Sequence, residues 1–244
     1  MNRQSNVYTL IYSIVLVLVV GVVLSVVYQA LRPAQVENIA NDTKRQILAA
    51  ALITPAEGES VSEVYSRHIV ESFVVNYKGE RIDAGTNAFG INVSLEFKKP
   101  DSERQLPVFV CTPEAGDSNP ADYKYILPTY GAGLWGPIWG YVAFNANGST
   151  IYGAYFAHQG ETPGLGAEIE KPNFQKQFEG KSVYSDGQFT SIAVVKPGNE
   201  PTGSDCVHAI SGGTITSQGV QKMLFDSLQP YNAFLQNLQQ QSTK

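Results

Sequence analysis

The sequence has little charge and few groups that bind metals. Charged residues make up 16% of its 244 positions, the formal net charge is −5, and no stripe of lysine and arginine runs along it. These values make nucleic acid an unlikely partner class, because nucleic-acid-binding proteins carry clustered positive charge. The two cysteines, Cys111 and Cys206, are far apart and in no CxxC spacing, and the three histidines are scattered. The pattern therefore predicts no zinc or iron–sulfur site held by this chain alone, and leaves one disulfide open.

One stretch near the N-terminus lacks charge altogether. No charged side chain occurs between Arg3 and Arg32, and Leu10 to Val27 is almost wholly leucine, isoleucine and valine. About 20 apolar residues in a helix cross the hydrocarbon core of a bilayer. A cleaved signal peptide is the alternative, but its apolar region runs only about 7–15 residues and ends at a small-x-small site. The length favours an uncleaved membrane anchor, with an orientation that the balanced flanking charges leave open.

The helical predictions lie at the two ends of the chain. Pro33 is expected to end or redirect the spanning helix. Apolar residues recur at helical spacing from Val36 to Ile53, which predicts an amphipathic stalk helix. A short helix is expected from Ser60 to Glu71, and a final helix from Val220 to Leu238, kinked or divided at Pro230.

The middle of the chain has the patterns of strands. Ile91 to Phe97 alternates polar and apolar residues, which predicts a half-buried strand, and Asn147-Gly148 predicts the turn of a hairpin. Phe73–Ile82 is predicted to form a strand and a turn. The other predicted strands are Pro107–Cys111, Tyr123–Leu127, Ile138–Phe144, Thr150–Ala157 and Thr190–Val195. Pro172 to Phe178 is expected to form one or two helical turns.

Strands that cluster in the middle, with helices at the ends, favour an α+β fold of antiparallel sheet with flanking helices. No GxGxxG follows a predicted strand, so a Rossmann dinucleotide site is not supported. The predicted organisation is a short tail at 1–6, a transmembrane helix at 7–31, a helical stalk at 32–72 and an α+β domain at 73–244.

Three glycine-rich segments are candidates for a binding site: Tyr130–Pro137, Gly160–Glu168 and Ser211–Gly219. The third segment has two interpretations. In one, its Ser and Thr residues are ordinary helix caps; in the other, the start of the final helix binds a phosphate through its free N–H groups. Gly212 and Gly213 allow another group to approach the backbone closely. In the second, Pro163-Gly164 is typical of a type II turn.

The third segment carries a family resemblance. Val207-His-Ala-Ile-Ser-Gly-Gly-Thr-Ile-Thr-Ser is similar to the flavinylation motif of the FMN-binding subunits of redox-driven sodium pumps. The usual form is Asp-Ala-Ile-Ser-Gly-Ala-Thr, with the last threonine joined to the FMN phosphate; here that residue is Thr214. Two positions depart from the form, since His208 replaces the aspartate and Gly213 replaces the alanine. Asp205 is close by but at the wrong spacing.

The other two segments extend the resemblance over nearly the whole chain. Glu161-Thr-Pro-Gly-Leu-Gly matches the same family, and Tyr130–Pro137 also resembles it. Leu134 and Trp135 either lie against the isoalloxazine ring or fill the core. The resemblance is closest to the C subunits of sodium-translocating NADH:quinone reductases. The related G subunits of ion-translocating electron-transport complexes are the alternative, and the long stretch before Tyr130 favours the C subunits.

The resemblance implies a covalently bound FMN, attached to Thr214 by a phosphoester, with no catalytic acid or base and no metal in this chain. It implies that the cofactor-binding residues are Thr214, Ser211, Gly212, Gly213, Glu161, Thr162, Gly164, Leu165, Gly166, Leu134 and Trp135. The implied partners are the other subunits of a membrane redox complex, the bilayer, and a flavin transferase during maturation. The large domain would face the periplasm from a bacterial inner membrane. The alternatives are a noncatalytic scaffold with a decayed flavin site, or an anchored binding domain without a cofactor.

Overall fold

The computed structural model describes residues 6–82, 87–116 and 119–242. By its internal contacts the chain divides into two compact units, Met1–Thr43 and Lys44–Lys244. This division falls inside the predicted stalk, and the predicted domain boundaries stay predictions. Most of the predicted tail at 1–6 lies outside the described residues.

The N-terminal helix α1 extends from Asn6 to Ala50 without a break. It is long and apolar enough to cross a membrane, and the apolar side chains of Leu10–Val27 are exposed. The prediction that Pro33 ends this helix was wrong, because Pro33 lies inside it, and the alternative that Pro33 redirects the helix stays a prediction. Proline has no amide hydrogen to donate to the carbonyl four residues earlier, that of Gln29, but the helix continues on both sides of it.

A five-stranded antiparallel sheet forms the centre of the Lys44–Lys244 unit. Its strands are β1 (Ile69–Val75), β2 (Leu106–Cys111), β3 (Lys124–Ala132), β4 (Pro137–Asn145) and β5 (Ile151–His158), in the order of the chain. The short helix α2 (Val61–His68) leads directly into β1. At the hairpin between β4 and β5, Gly148 has a φ of 62° and the Asn147 side chain accepts hydrogen bonds from the amides of Ser149 and Thr150. The predicted hairpin is confirmed.

The predicted strand at Ile91–Phe97 was wrong. The structure has a short helix α3 there, Val93–Glu96, because Asn92 caps it: its Oδ1 accepts a hydrogen bond from the Leu95 amide at 3.3 Å. The Glu96 carboxylate is buried and accepts from the Gln105 amide at 3.0 Å. Local side-chain bonds of this kind outweigh the alternating pattern.

The remaining elements follow the sheet. Helix α4 (Pro172–Gln175) is succeeded by two small strand pairs, β6 (Tyr184–Ser185) with β7 (Gln188–Phe189), and β8 (Ala193–Val195) with β9 (Cys206–His208). The second pair is parallel, which the sequence pattern did not predict. Helices α5 (Thr214–Leu228) and α6 (Asn232–Ser242) are separated at Pro230, as predicted. Single 3-10 turns occupy Ala88–Gly90, Asp101–Glu103, Pro120–Asp122, Gly166–Glu170, Lys176–Phe178 and Gln229–Tyr231.

The two faces of the sheet are covered by different parts of the chain. One face packs against α4, α5 and α6, with Phe156 and Leu224 at the centre of that core. The other face packs against the end of α1, where Ile47 and Ala50 are fully buried. The alternation along each strand supplies apolar side chains to both faces.

Tyr231 ties the helical layer to the sheet. Its side chain is fully buried and its hydroxyl donates to the Pro107 carbonyl at 2.8 Å. Tyr231→Phe should lower the free energy of unfolding by about 1 to 3 kcal/mol, because the buried carbonyl loses its donor. Urea titration followed by circular dichroism measures this. Tyr77→Phe, at an exposed position, is the control, and equal stabilities for all three proteins would contradict the prediction.

The two cysteines are free thiols in different surroundings. Cys111 is buried in the core between the sheet and the end of α1, and this burial raises the pKa of its thiol to about 12. Cys206 is half-buried. Since the thiolate is the reactive form, iodoacetamide at pH 8 should modify Cys206 at least roughly a hundredfold faster than Cys111. Peptide mass analysis over time measures both rates. In urea the two rates should converge, and equal rates in the folded protein would contradict the prediction.

Candidate functional site

The three glycine-rich segments lie together in the fold, joined by one carboxylate. Glu161 begins the segment after β5, and its side chain is buried, with 4% of its surface exposed. Its Oε1 accepts a hydrogen bond at 2.8 Å from the amide of Trp135, in the loop between β3 and β4. Its Oε2 accepts one at 2.6 Å from the hydroxyl of Thr216, in the first turn of α5. Glu161 therefore connects all three segments.

Glycine is required where these segments touch. A Cβ at Gly133 would overlap Glu161 Oε1, and a Cβ at Gly166 would overlap Glu161 Oε2 and lie 2.5 Å from Thr216 Oγ1. A Cβ at Gly219 would overlap the carbonyl of Ala132. The glycines let the two loops and the start of α5 approach at backbone distance.

The start of the second segment is held by a histidine. The amide of Glu161 donates to His158 Nδ1 at 3.1 Å, and the amide of His158 donates to Glu170 Oε1 at 3.1 Å. The following turn is the predicted one, since Gly164 has a φ of 75° and the Leu165 amide donates to the Thr162 carbonyl at 3.1 Å. Thr162, Gly164 and Leu165 are exposed, whereas Gly166 is buried.

In the third segment the helix cap differs from the expected one. The N-cap of α5 is Gly213, which supplies no side-chain hydrogen bond, so the interpretation of Ser and Thr as caps was wrong. The Ser217 hydroxyl instead accepts from the Ile210 amide at 3.0 Å and stabilises the turn before the helix. Thr214 is the first residue of α5 and is exposed. A glycine cap leaves the first amides of the helix to water or to an anion.

Large apolar side chains are exposed around Thr214. Leu134, Trp135, Leu165 and Ile215 are 47%, 68%, 42% and 55% exposed. A Cβ at Gly212 would come within 2.6 Å of Leu165 Cδ2, so the second and third segments meet beside Thr214. We call Leu134, Trp135, Leu165, Thr214 and Ile215 the three-loop surface. Because Leu134 and Trp135 are exposed, the alternative that they fill the core was wrong.

These residues fit an FMN. A phosphate ester on the Thr214 hydroxyl would lie at the positive end of the α5 dipole, beside amides that no cap side chain occupies. Exposed apolar side chains nearby suit one face of a flat aromatic ring. The predicted residues Ser211, Gly212 and Gly213 form the turn that leads to Thr214. Sequence reasoning missed Thr216, Ser217 and His158, for which no local pattern gives a signal.

The two departures from the flavinylation motif have different surroundings. Gly213 is buried, and a Cβ there would lie 3.0 Å from Ile210 Cγ2, a tight contact. His208 is exposed, with its Nε2 at 3.4 Å from Glu200 Oε1. A hydrogen bond from the Gly198 amide holds the pKa of Glu200 below its usual value. Asp205 is engaged elsewhere, because its Oδ2 accepts from the Ser182 amide at 2.6 Å.

A cleft of about 590 Å³ borders the loop between β3 and β4. Its lining includes Gly133 and Gly136 but no residue of the three-loop surface. Arg104 in this cleft forms an ion pair with Asp101 at 2.8 Å and donates to the Lys99 carbonyl at 2.9 Å. Its positive charge is therefore already paired within the chain. None of the predicted site residues lines this cleft.

Comparisons with known proteins identify the relatives of this chain. A family model described as FMN-binding domain matches residues 133–229, which include the second and third segments and the first from Gly133 onwards. The C subunit of the Na(+)-translocating NADH-quinone reductase from Vibrio anguillarum is 34% identical over 90% of this chain and 89% of that protein. The crystal structure of the corresponding C subunit from Parabacteroides distasonis matches with a TM-score of 0.76 and 45% identity, over 84% of this chain and 96% of that one.

A second solved structure, that of Shewanella oneidensis NqrC, matches with a TM-score of 0.66 at 24% identity, over 82% of this chain and 98% of that one, and supports the fold. The α+β fold that the sequence predicted is thereby confirmed. By identity and coverage, this chain belongs to the family of C subunits of the Na(+)-translocating NADH-quinone reductase.

Proposed function

We propose that this chain carries FMN joined through its phosphate to the Thr214 hydroxyl, and that it transfers electrons as one subunit of a membrane complex. That complex oxidises NADH, reduces ubiquinone and exports sodium ions. The observation that carries the proposal is the exposed Thr214 hydroxyl at a helix start whose glycine cap leaves the amides open. The names of the relatives, and the FMN-binding family model, support the class of complex and the cofactor.

The residues of the site hold and shield the flavin in this proposal. The bound flavin supplies reversible uptake of electrons. The turn beside the phosphoester is formed by Ser211, Gly212 and Gly213. The flavin ring packs against the apolar side chains of Leu134, Trp135 and Leu165. The loop that carries Leu165 has its backbone shaped by Thr162, Gly164 and Gly166. NADH binds on another subunit, since this chain has no dinucleotide fingerprint.

The proposal places the chain in a bacterial inner membrane, anchored by the apolar part of α1, with its large domain on the periplasmic side. The apolar length of α1 supports the anchor. The other subunits of the complex are the partners in the membrane. A magnesium-dependent flavin transferase attaches the FMN during maturation.

Co-expression of the full chain with a flavin transferase tests the proposal. The expected result is a mass gain of one FMN less one water, with flavin fluorescence that stays on the chain after denaturing electrophoresis. The transferase must modify a second, known substrate in the same cells. With that control working, an unmodified chain would overturn the proposal and favour the noncatalytic scaffold.

A further inference from the structure

The Glu161 carboxylate is a buried charge without a cationic partner in the part of the chain that the structure describes. Both of its oxygens accept hydrogen bonds from neutral donors, the Trp135 amide and the Thr216 hydroxyl. None of the ion pairs among residues 6–82, 87–116 and 119–242 includes it. Neutral donors and the start of a helix stabilise a carboxylate but leave its net charge in place.

The position of this charge is fixed. Gly133 and Gly166 are packed so closely against its two oxygens that neither position has room for a Cβ. The Glu161 amide is bonded to His158 Nδ1 at 3.1 Å, which holds the backbone of the same residue. These contacts and the hydrogen bonds to the Trp135 amide and the Thr216 hydroxyl restrain the carboxylate.

The charge lies next to the three-loop surface. One of its donors is the amide of Trp135, whose side chain is 68% exposed on that surface. The other donor, Thr216, is two residues after Thr214 in the same helix. A flat ring attached at Thr214 and covering this surface would rest on the residues that hold the carboxylate.

We propose that the charge of Glu161 lowers the reduction potential of the flavin held on the three-loop surface, which makes Glu161 a tuning residue as well as the link between the loops. The inference rests on the proposed function. Reduction by two electrons with one proton would leave one negative charge on a flavin ring bound there. The Glu161 carboxylate would repel that charge, and its burial would limit the screening of the repulsion by water.

Glu161→Gln separates the charge from the geometry. The glutamine Oε1 can still accept from the Trp135 amide, and its NH2 group can donate to the Thr216 hydroxyl, which turns to accept. In the full, FMN-loaded chain, we expect Glu161→Gln to raise the reduction potential of the flavin by about 30 mV. For a two-electron couple this equals a roughly tenfold change in the ratio of oxidised to reduced flavin at a given potential. A spectroelectrochemical titration of the flavin absorbance measures it.

Asp226→Asn is the matched control. It removes the same formal charge from an exposed position ten residues after Thr216 on α5, about 15 Å away along the helix axis. Its potential should equal that of the unchanged chain. Intact mass reports FMN loading separately: a chain that never gains FMN overturns the proposed function and this inference together. Loaded Glu161→Gln with an unchanged potential overturns this inference alone.

Thr216→Val keeps the carboxylate and removes one of its bonds to the loops. We expect a potential no higher than that of the unchanged chain. A rise as large as that of Glu161→Gln would assign the effect to loosened loops and overturn the inference. If Glu161→Gln fails to fold, the same measurement on Thr216→Val decides: a raised potential contradicts the inference and a potential at or below the original supports it.

Discussion

Replacing Thr214 by alanine is expected to leave the chain folded and entirely without covalent FMN. Thr214 is exposed at the first position of α5, so the substitution removes no buried contact, and alanine is a good helix former. The phosphoester, however, needs the hydroxyl oxygen. Intact mass after co-expression with a flavin transferase should show no gain, and the chain should lose its flavin fluorescence in denaturing gels.

Two variants show whether the loss is specific. Thr214→Ser keeps a hydroxyl at the same place and should retain some covalent FMN. Thr202→Ala removes another exposed hydroxyl, in the loop between β8 and β9, and should be loaded as fully as the unchanged chain. Full loading of Thr214→Ala would place the attachment elsewhere, and equal loss in Thr202→Ala would show that the loss is not specific to Thr214.

Gly166→Ala should damage both stability and flavin loading. The new Cβ would overlap Glu161 Oε2 and lie 2.5 Å from Thr216 Oγ1, so the 2.6 Å bond between these two side chains must break. Overpacking together with the loss of a buried, charge-assisted hydrogen bond should lower the free energy of unfolding by about 3 to 5 kcal/mol. With the loops displaced, the loaded fraction should fall by roughly tenfold or more. Urea titration and intact mass measure the two effects.

Gly160→Ala is the control for this substitution. Gly160 is in the same loop, but a Cβ there would meet nothing nearer than the Trp135 carbonyl at 4.0 Å. It should unfold and load like the unchanged chain. If Gly166→Ala behaves in the same way, the contact between Glu161 and Thr216 does not hold the site together.

Local patterns predicted the parts of the fold that local chemistry decides. Asn147-Gly148 gives a hairpin turn because Gly148 adopts a positive φ, and Pro230 divides the final helices. The pattern failed at Ile91–Phe97, where a capping bond from Asn92 competes with alternation. Pro33 does not end α1 as one alternative predicted, since the helix continues past the missing amide hydrogen.

The resemblance named exposed and buried residues of all three segments, but not the hydrogen bonds that join the segments. It pointed to Thr214 and to the loop that contains Glu161, and it implies that Glu161 binds the cofactor. The structure shows a buried carboxylate bonded to Thr216, a residue 55 positions later. Partners so far apart leave no periodic pattern, because their meeting depends on the way the sheet and α5 bring the loops together. The roles of the individual residues toward FMN stay predictions.

The buried end of α1 determines where the chain can be truncated without loss of its core. Ile47, Leu48 and Ala50 are fully buried against the sheet although they belong to the same continuous helix as the apolar N-terminal stretch. A fragment that begins at Lys44 keeps these residues, whereas one that begins after Ala51 uncovers Val74, Phe109 and Ala143. An expression fragment designed by removing the whole first helix would expose an apolar sheet face and aggregate.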